Sequence, residues 1–227
     1  MSKDLILLIG QSNMAGRGLM GEVAPLENAR IEMLRDGEWQ PASEPLHTDK
    51  ETAGIGLAMS FAAEYLKTSP DVHVGLIPSA VGGTPLSRWT PGCDLYEDAL
   101  VNARQALEHG SLKAILWHQG EADAQDIELA QSYGQRIGEM VAALRAALAA
   151  PEVPFISGGL GDFLADHATC VHYLTVNGAL QNLAVPRCGF ASASGLDHLG
   201  DGIHFSSAAL REFGRRYAAE FARINPS

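Results

Sequence analysis

Cysteine, positive charge and long hydrophobic runs are all scarce in this sequence, and each scarcity excludes a class of protein. The three cysteines, Cys93, Cys170 and Cys188, are too few and too widely spaced for a disulfide framework or a CxxC metal site. Lysine and arginine total 16 against 27 aspartates and glutamates, a formal net charge of -11. This charge argues against binding to nucleic acid or to an anionic membrane surface.

No apolar run is long enough for a signal-peptide core or a membrane span, and Lys3 is followed at once by Asp4. The composition, 46% hydrophobic and 19% charged, is that of an ordinary globular chain. We therefore expect a cytoplasmic protein of one domain, residues 1–227, that does not associate with membranes. Its oligomeric state leaves no signal in the sequence.

Apolar segments alternate with amphipathic segments along the chain. Five of them are typical of buried strands: 4–10, 72–78, 113–120, 153–159 and 187–194. Helices are predicted at 53–68, 95–110, 123–149, 167–185 and 207–223. Strands that are apolar throughout belong to parallel sheets covered on both faces. The sequence thus predicts an α/β fold with three layers, doubly wound and flavodoxin-like, around a central parallel sheet of about five strands.

Residues 19–52 interrupt this alternation. They contain the stretch RIEMLRDGEWQPA, which has the pattern of a small hairpin turning at Asp36-Gly37. We interpret residues 19–52 as an insertion after the first strand and not as a separate domain.

Polar and glycine-rich loops follow the predicted strands, and ligands of such folds bind beyond the carboxyl ends of the strands. Ser12 follows the first strand in GQSNMAG, where it is either the N-cap of a helix or a nucleophile. A phosphate-binding loop is not indicated, because no lysine follows in the required position and the GxGxxG pattern is absent.

The sequence DGIH, after the fifth strand, places Asp201 three residues before His204. A turn at Gly202 would let the carboxylate reach one ring nitrogen of His204 while the other faces outward, as in an oriented general base. An ordinary surface turn is the alternative, since Asp-Gly is a common turn pair. No HxH or HxxxH spacing indicates a metal site.

Two further loops offer groups that could stabilise an anion. In WHQGEAD, the Gln119 amide could donate to an oxyanion, and Glu121 is either a residue that orients others or a competing acid for His204. In VGGTPLSRW, Gly82 or Gly83 could turn a backbone N–H toward the same anion. Trp89 is either a platform for stacking a sugar or a buried core residue.

These four motifs, in this order and across residues 5–210, resemble the SGNH hydrolase superfamily. The closer similarity is to its branch of sialate O-acetylesterase-like proteins and family 6 carbohydrate esterases (acetylxylan esterases). The resemblance implies that Ser12 is the nucleophile, His204 the base and Asp201 its partner. It also implies that the Ser12 N–H, Gly83 and Gln119 are the oxyanion donors, with Glu121 as the alternative triad acid.

The implied function is a serine esterase that removes acetyl groups from a sialate or xylan-type carbohydrate through an acetyl-serine intermediate, without metal or organic cofactor. Gln11, Asn13 and Trp89 are the candidate contacts to the substrate. Two alternatives stay open: an esterase of other small acyl esters, and a non-catalytic carbohydrate-binding module.

Overall fold

The predicted hydrophobic segments form a mostly parallel sheet in the computed structural model, which describes residues 2–69 and 71–225. Its strands are β1 (Lys3–Gly10), β2 (Ile31–Arg35), β3 (Glu38–Pro41), β4 (His73–Pro78), β5 (Gly110–His118), β6 (Phe155–Gly158) and β7 (Cys188–Ala191). They lie in the order β3-β2-β4-β1-β5-β6-β7. The five strands foreseen from the sequence occur in the order β4-β1-β5-β6-β7, which is the flavodoxin-like order. The predicted fold class is confirmed.

The predicted count of about five strands is wrong, because the sheet has seven. The hairpin at Asp36-Gly37 forms as expected, with Arg35 paired to Glu38 and both turn residues at positive φ. However, its first strand, β2, also pairs in parallel with β4. The unpaired edge of β4 offers backbone donors and acceptors that β2 satisfies, so residues 31–41 extend the central sheet.

Among the described residues, six α-helices accompany the sheet, and the last five cover its two faces. They are α1 (Ser12–Ala15), α2 (Ala58–Thr68), α3 (Asp94–Leu107), α4 (Ile127–Ala147), α5 (Tyr173–Gln181) and α6 (Ser207–Ile224). One hydrophobic core joins α3, α4 and α5 to the sheet, and a second joins α2 and α6 to the opposite face. Side chains of β1 alternate between them, with Leu5 and Leu7 in the first and Ile6 and Leu8 in the second. This double burial explains the unbroken apolar run of β1.

Several helix boundaries differ from the prediction. The helix expected at 123–149 spans Ile127–Ala147, and the one expected at 95–110 ends at Leu107. The helix expected at 167–185 is restricted to Tyr173–Gln181, because His167 Nδ1 accepts the backbone N–H groups of Thr169 and Cys170 in a turn before it. The helix expected from residue 53 begins at Ala58.

Within the described residues, none of the helices has both the length and the apolar character needed to cross a membrane.

Close approach of β1 and β5 at their carboxyl ends depends on Gly10, which has a φ of +128°. A Cβ there would lie 2.1 Å from the carbonyl oxygen of His118. We expect Gly10→Ala to lower the free energy of unfolding by more than about 2 kcal/mol, since both the clash and the strained φ must be accommodated. Urea denaturation measures the change.

Gly178, in the interior of α5, is the matched control, because a Cβ there meets no atom within 4 Å. Gly178→Ala should raise the free energy of unfolding by about 0.5–1 kcal/mol through helix propensity. A Gly10→Ala protein as stable as the wild type would contradict the close packing inferred at this edge.

Candidate active site

Three side chains form a hydrogen-bonded chain at the carboxyl edge of the sheet. Ser12 lies directly after β1 at the start of α1, and its Oγ is 2.9 Å from His204 Nε2. His204 Nδ1 is in turn 2.6 Å from Asp201 Oδ2. Ser12 is 6% exposed, whereas the side chains of His204 and Asp201 are 24% and 37% exposed. The arrangement is that of a nucleophile, a general base and an orienting carboxylate.

The turn that carries Asp201 is closed by its own carboxylate. Asp201 Oδ1 accepts the backbone N–H groups of Ile203 and His204, at 3.0 and 2.9 Å, while Oδ2 contacts the imidazole. Burial raises the pKa of Asp201, but these N–H groups and the His204 ring outweigh that effect and hold the pKa below its usual range. The carboxylate therefore stays ionised beside the imidazole.

Glu121, the alternative triad acid, contacts Asn13 and His118 and not His204. Its Oε1 accepts a hydrogen bond of 2.6 Å from Asn13 Nδ2 and lies 3.4 Å from His118 Nε2. Within the part of the chain that the structure describes, no hydrogen bond or ion pair joins Glu121 to His204. Glu121 is 2% exposed, and among the described residues its side-chain link to the serine helix is the hydrogen bond from Asn13. The geometry thus favours Asp201 as the partner of His204.

Asn13, predicted as a substrate contact, is 1% exposed and makes its hydrogen bonds within the protein. Its Nδ2 also donates to the carbonyl of Ile203 at 3.1 Å, and its Oδ1 accepts the N–H of Phe205 at 3.1 Å. These two residues flank His204 on either side. Asn13 therefore fastens the histidine loop to the short helix that carries Ser12.

The loop after β4 passes directly beside the serine, since a Cβ on Gly82 would lie 3.4 Å from Ser12 Cβ. The N–H of Gly82 is engaged by Asp49 Oδ2 at 2.8 Å, and Asp49 forms a buried ion pair with Arg17 at 2.6 Å. The N–H of Gly83, which has a φ of +76°, has no acceptor among the described residues. Of the two glycines, Gly83 is the one with a free donor.

Gln119, predicted to donate to an oxyanion, has its carboxamide engaged by other groups of the protein. Its Nε2 donates to the carbonyl of Thr84 at 3.1 Å and to Asp123 Oδ2 at 2.7 Å, which uses both amide protons. Its Oε1 accepts from Tyr133 Oη at 2.7 Å, and the residue is completely buried. Gln119 instead ties the end of β5 to the loop after β4.

Gln11, predicted as a substrate contact, is 3% exposed and immediately precedes Ser12. Its Oε1 faces the N–H groups of Gly120 and Ala122 at 3.5 and 3.4 Å, the long limit of a hydrogen bond. No acceptor within residues 2–69 and 71–225 takes its amide protons. Gln11 thus retains the free carboxamide N–H groups that Gln119 lacks.

Trp89 belongs to the hydrophobic core, which is the second of the two placements that the sequence left open. It is 1% exposed, and its indole Nε1 donates to Thr84 Oγ1 at 3.1 Å. Its ring packs edge-on against Trp117 at a centroid distance of 5.6 Å. Periodicity could not reveal this burial, because residues 86–89 form a single 3-10 turn.

The sequence analysis missed Arg17 and Asp49, which fix the loop beside the serine. They are 32 residues apart and no local pattern joins them.

For metals, the described residues contain no group of three or more histidine, cysteine, aspartate or glutamate side chains that could hold an ion.

Comparisons with known proteins identify the family of the chain. The family described as "Carbohydrate esterase, sialic acid-specific acetylesterase" matches residues 2–223. The chain is 32% identical over 242 residues to the probable carbohydrate esterase At4g34215 of Arabidopsis thaliana, covering 96% of this chain and 90% of that protein.

Solved structures show the same fold. The crystal structure of the Arabidopsis protein superposes with a TM-score of 0.90 at 28% identity, covering 98% of this chain and 99% of that one. NanS has a TM-score of 0.81 at 21% identity over 98% and 97% of the two chains. The carbohydrate acetylesterase XAC1771 of Xanthomonas citri has a TM-score of 0.70 at 22% identity, covering 97% of this chain and 56% of that one.

Isosteric substitutions distinguish whether Asp201 or Glu121 is the acid that orients His204. Asp201→Asn keeps the shape of the turn but removes the charge that stabilises the imidazolium, so kcat on an activated acetyl ester should fall by up to about 10⁴-fold. Glu121→Gln should lower kcat by only about 10–100-fold, because Glu121 acts through Asn13. If Glu121→Gln is the more damaging change while circular dichroism shows both variants folded, the assignment of Asp201 fails.

Proposed function

The chain belongs to the carbohydrate esterase family of sialic acid-specific acetylesterases, and we propose that it hydrolyses saccharide acetyl esters through an acetyl-Ser12 intermediate. The observation that carries the proposal is the 2.9 Å contact between Ser12 Oγ and His204 Nε2, with Asp201 Oδ2 bonded to the other ring nitrogen. An N-cap serine needs no imidazole at its hydroxyl, whereas a nucleophile does.

The reaction proceeds by two acyl transfers. His204 Nε2 takes the Ser12 proton as Oγ attacks the acetyl carbonyl, and the imidazolium then gives this proton to the departing sugar oxygen. Water, deprotonated by the same nitrogen, attacks the acetyl-serine; the imidazolium returns the proton to Ser12 Oγ as its bond to the acyl carbon breaks and acetate leaves. Asp201 holds the Nδ1 proton throughout and stabilises the imidazolium by its charge, which its lowered pKa preserves.

Three N–H donors remain for the oxyanion. The Ser12 N–H lies in the first turn of α1 and has no acceptor among the described residues, as expected for a helix start. The Gly83 N–H and the Gln11 carboxamide are likewise free of acceptors in this part of the chain. In this proposal Gln11 takes the role that the sequence analysis gave to Gln119.

The overall charge of the chain favours a neutral saccharide over an anionic sialate. The net charge is -11, and two arginines of the edge loops are already paired, Arg17 with Asp49 and Arg88 with Asp94. An anionic substrate would approach against this field, and the described residues of these loops offer no unpaired arginine to receive its carboxylate. We therefore favour xylan-type O-acetyl esters over sialate O-acetyl esters as the substrate class.

Acetate release from an acetylated xylo-oligosaccharide and from O-acetylated sialic acid tests the proposal, with 4-nitrophenyl acetate, butyrate and octanoate for comparison. We expect the highest kcat/KM on the neutral saccharide. For the sialate, kcat/KM should rise with added salt, because salt screens the repulsion. Ser12→Ala should lose at least about 10³-fold in kcat on every substrate.

The same panel distinguishes the alternatives. Faster hydrolysis of butyrate or octanoate, with no acetate released from either saccharide, would indicate an esterase of other acyl esters. An organophosphonate should label the wild type in one-to-one ratio and spare Ser12→Ala. Absence of labelling together with absence of hydrolysis would indicate a non-catalytic binding module.

The two glutamines form a matched pair for testing the oxyanion assignment. Gln11→Ala should lower kcat by about 10²–10³-fold with a smaller change in KM, because a donor to developing charge is lost. Gln119→Ala should lower the melting temperature, since Asp123 and Tyr133 lose a buried partner. If folded Gln119→Ala loses more kcat than Gln11→Ala, the assignment is reversed.

A further inference from the structure

The turn that carries the catalytic acid is held from outside by a second histidine. We propose that His198 is a positioning residue for Asp201, which its neutral imidazole keeps in place as a hydrogen-bond acceptor. The inference rests on the proposed role of Asp201 in orienting His204. His198 lies in the loop between β7 and α6, at the surface, and contacts neither Ser12 nor His204 through its ring within the described residues.

The acceptor is His198 Nδ1. It receives the backbone N–H of Gly200 at 3.0 Å and that of Gly202 at 3.1 Å. These two glycines flank Asp201 in the chain and have φ values of +114° and +74°. One ring nitrogen thus fixes the peptide groups on both sides of the carboxylate that must meet His204.

The backbone at His198 is joined to the segment of His204, and the ring of His198 is packed in place. His198 and Phe205 form an isolated antiparallel bridge, in which the N–H of Leu199 donates to the carbonyl of His204 at 2.8 Å. The imidazole also packs against the ring of Phe163 at a centroid distance of 5.3 Å. His198 therefore links the segment of His204 to the turn that holds Asp201. We call this set of contacts, the two hydrogen bonds to His198 Nδ1 and the bridge to Phe205, the brace.

The brace adds to the hydrogen bonds that Asn13 makes to the histidine loop from the interior of the protein. Asn13 fixes the residues on either side of His204, whereas Asp201 is exposed and its own Oδ1 closes only the local turn. Rotation of the turn would lengthen the 2.6 Å contact between Asp201 Oδ2 and His204 Nδ1. The bonds to His198 Nδ1 oppose this rotation.

Accepting two N–H groups at Nδ1 requires that this nitrogen carry no proton, so the ring proton is on Nε2. Asparagine offers a replacement, since its Oδ1 stands at the same position along the side chain as Nδ1 and also accepts. Phenylalanine keeps the ring against Phe163 but has no acceptor. The pair of substitutions therefore separates the hydrogen bonds from the ring packing.

We expect His198→Phe to lower kcat on 4-nitrophenyl acetate by about 10-fold with KM changed less than about 2-fold, as for other outer residues that orient a catalytic group. His198→Asn should restore most of the lost rate. In the Asp201→Asn background, His198→Phe should cause no further loss, because both changes act on one group. A wild-type rate in His198→Phe, or the same loss in His198→Asn as in His198→Phe, would overturn the proposal. Losses that multiply in the double variant would also overturn it.

A readout that needs no activity separates this inference from the proposed function. Long-range ¹H–¹⁵N correlation spectra at pH 8 report which nitrogen of each imidazole carries the proton. His198 should have an unprotonated Nδ1, and the Nδ1-protonated signal of His204 should weaken in His198→Phe and return in His198→Asn. A protonated Nδ1 on His198 would refute the brace even in an active esterase. The expected signals in an inactive protein would support the brace and count against the proposed function alone.

Discussion

The carboxamide of Asn13 is the interaction on which the arrangement of the site depends. It joins three segments that are 108 and about 190 residues apart in the chain: the helix of Ser12, the loop of Glu121 and the loop of His204. Its single acceptor and two donors are all satisfied, and the group is buried. A buried amide with every bond made contributes rigidity, whereas one with a bond missing would cost free energy. The distance between serine and histidine is therefore set by groups that do not themselves take part in the chemistry.

A buried ion pair likewise fixes the position of the loop after β4, which passes beside the serine. Arg17 and Asp49 are each less than a tenth exposed, and Asp49 also accepts the N–H of Gly82. Removing charges from water is costly, and such a pair is seldom the most stable solution for a core. Here it fixes the loop that carries Gly83. Asp123 acts in the same way for Gln119, with Arg136 as its counter-ion.

Sequence reasoning succeeded where the physical signal is local. The contact between Asp201 and His204 spans three residues, so its spacing was sufficient to suggest it. The strand positions followed from apolar runs, and the hairpin turn from Asp36-Gly37. It failed where the partner is distant. Nothing near residue 31 reveals that β2 pairs with β4, and the burial of Trp89 depends on Trp117 and Thr84.

The sequence by itself determined the α/β class, the segments that become parallel strands, and the position of Ser12 at their carboxyl edge. These follow from backbone hydrogen bonding and from the periodicity of apolar side chains, which are properties of neighbouring residues. Only the tertiary structure decided what each polar side chain does. Gln11 and Gln119 are chemically identical, yet one carboxamide has free protons and the other has none, because Thr84 and Asp123 reach only the second. A hydrogen-bond donor is available to a substrate only if no protein acceptor has taken it, and that depends on residues brought together by folding.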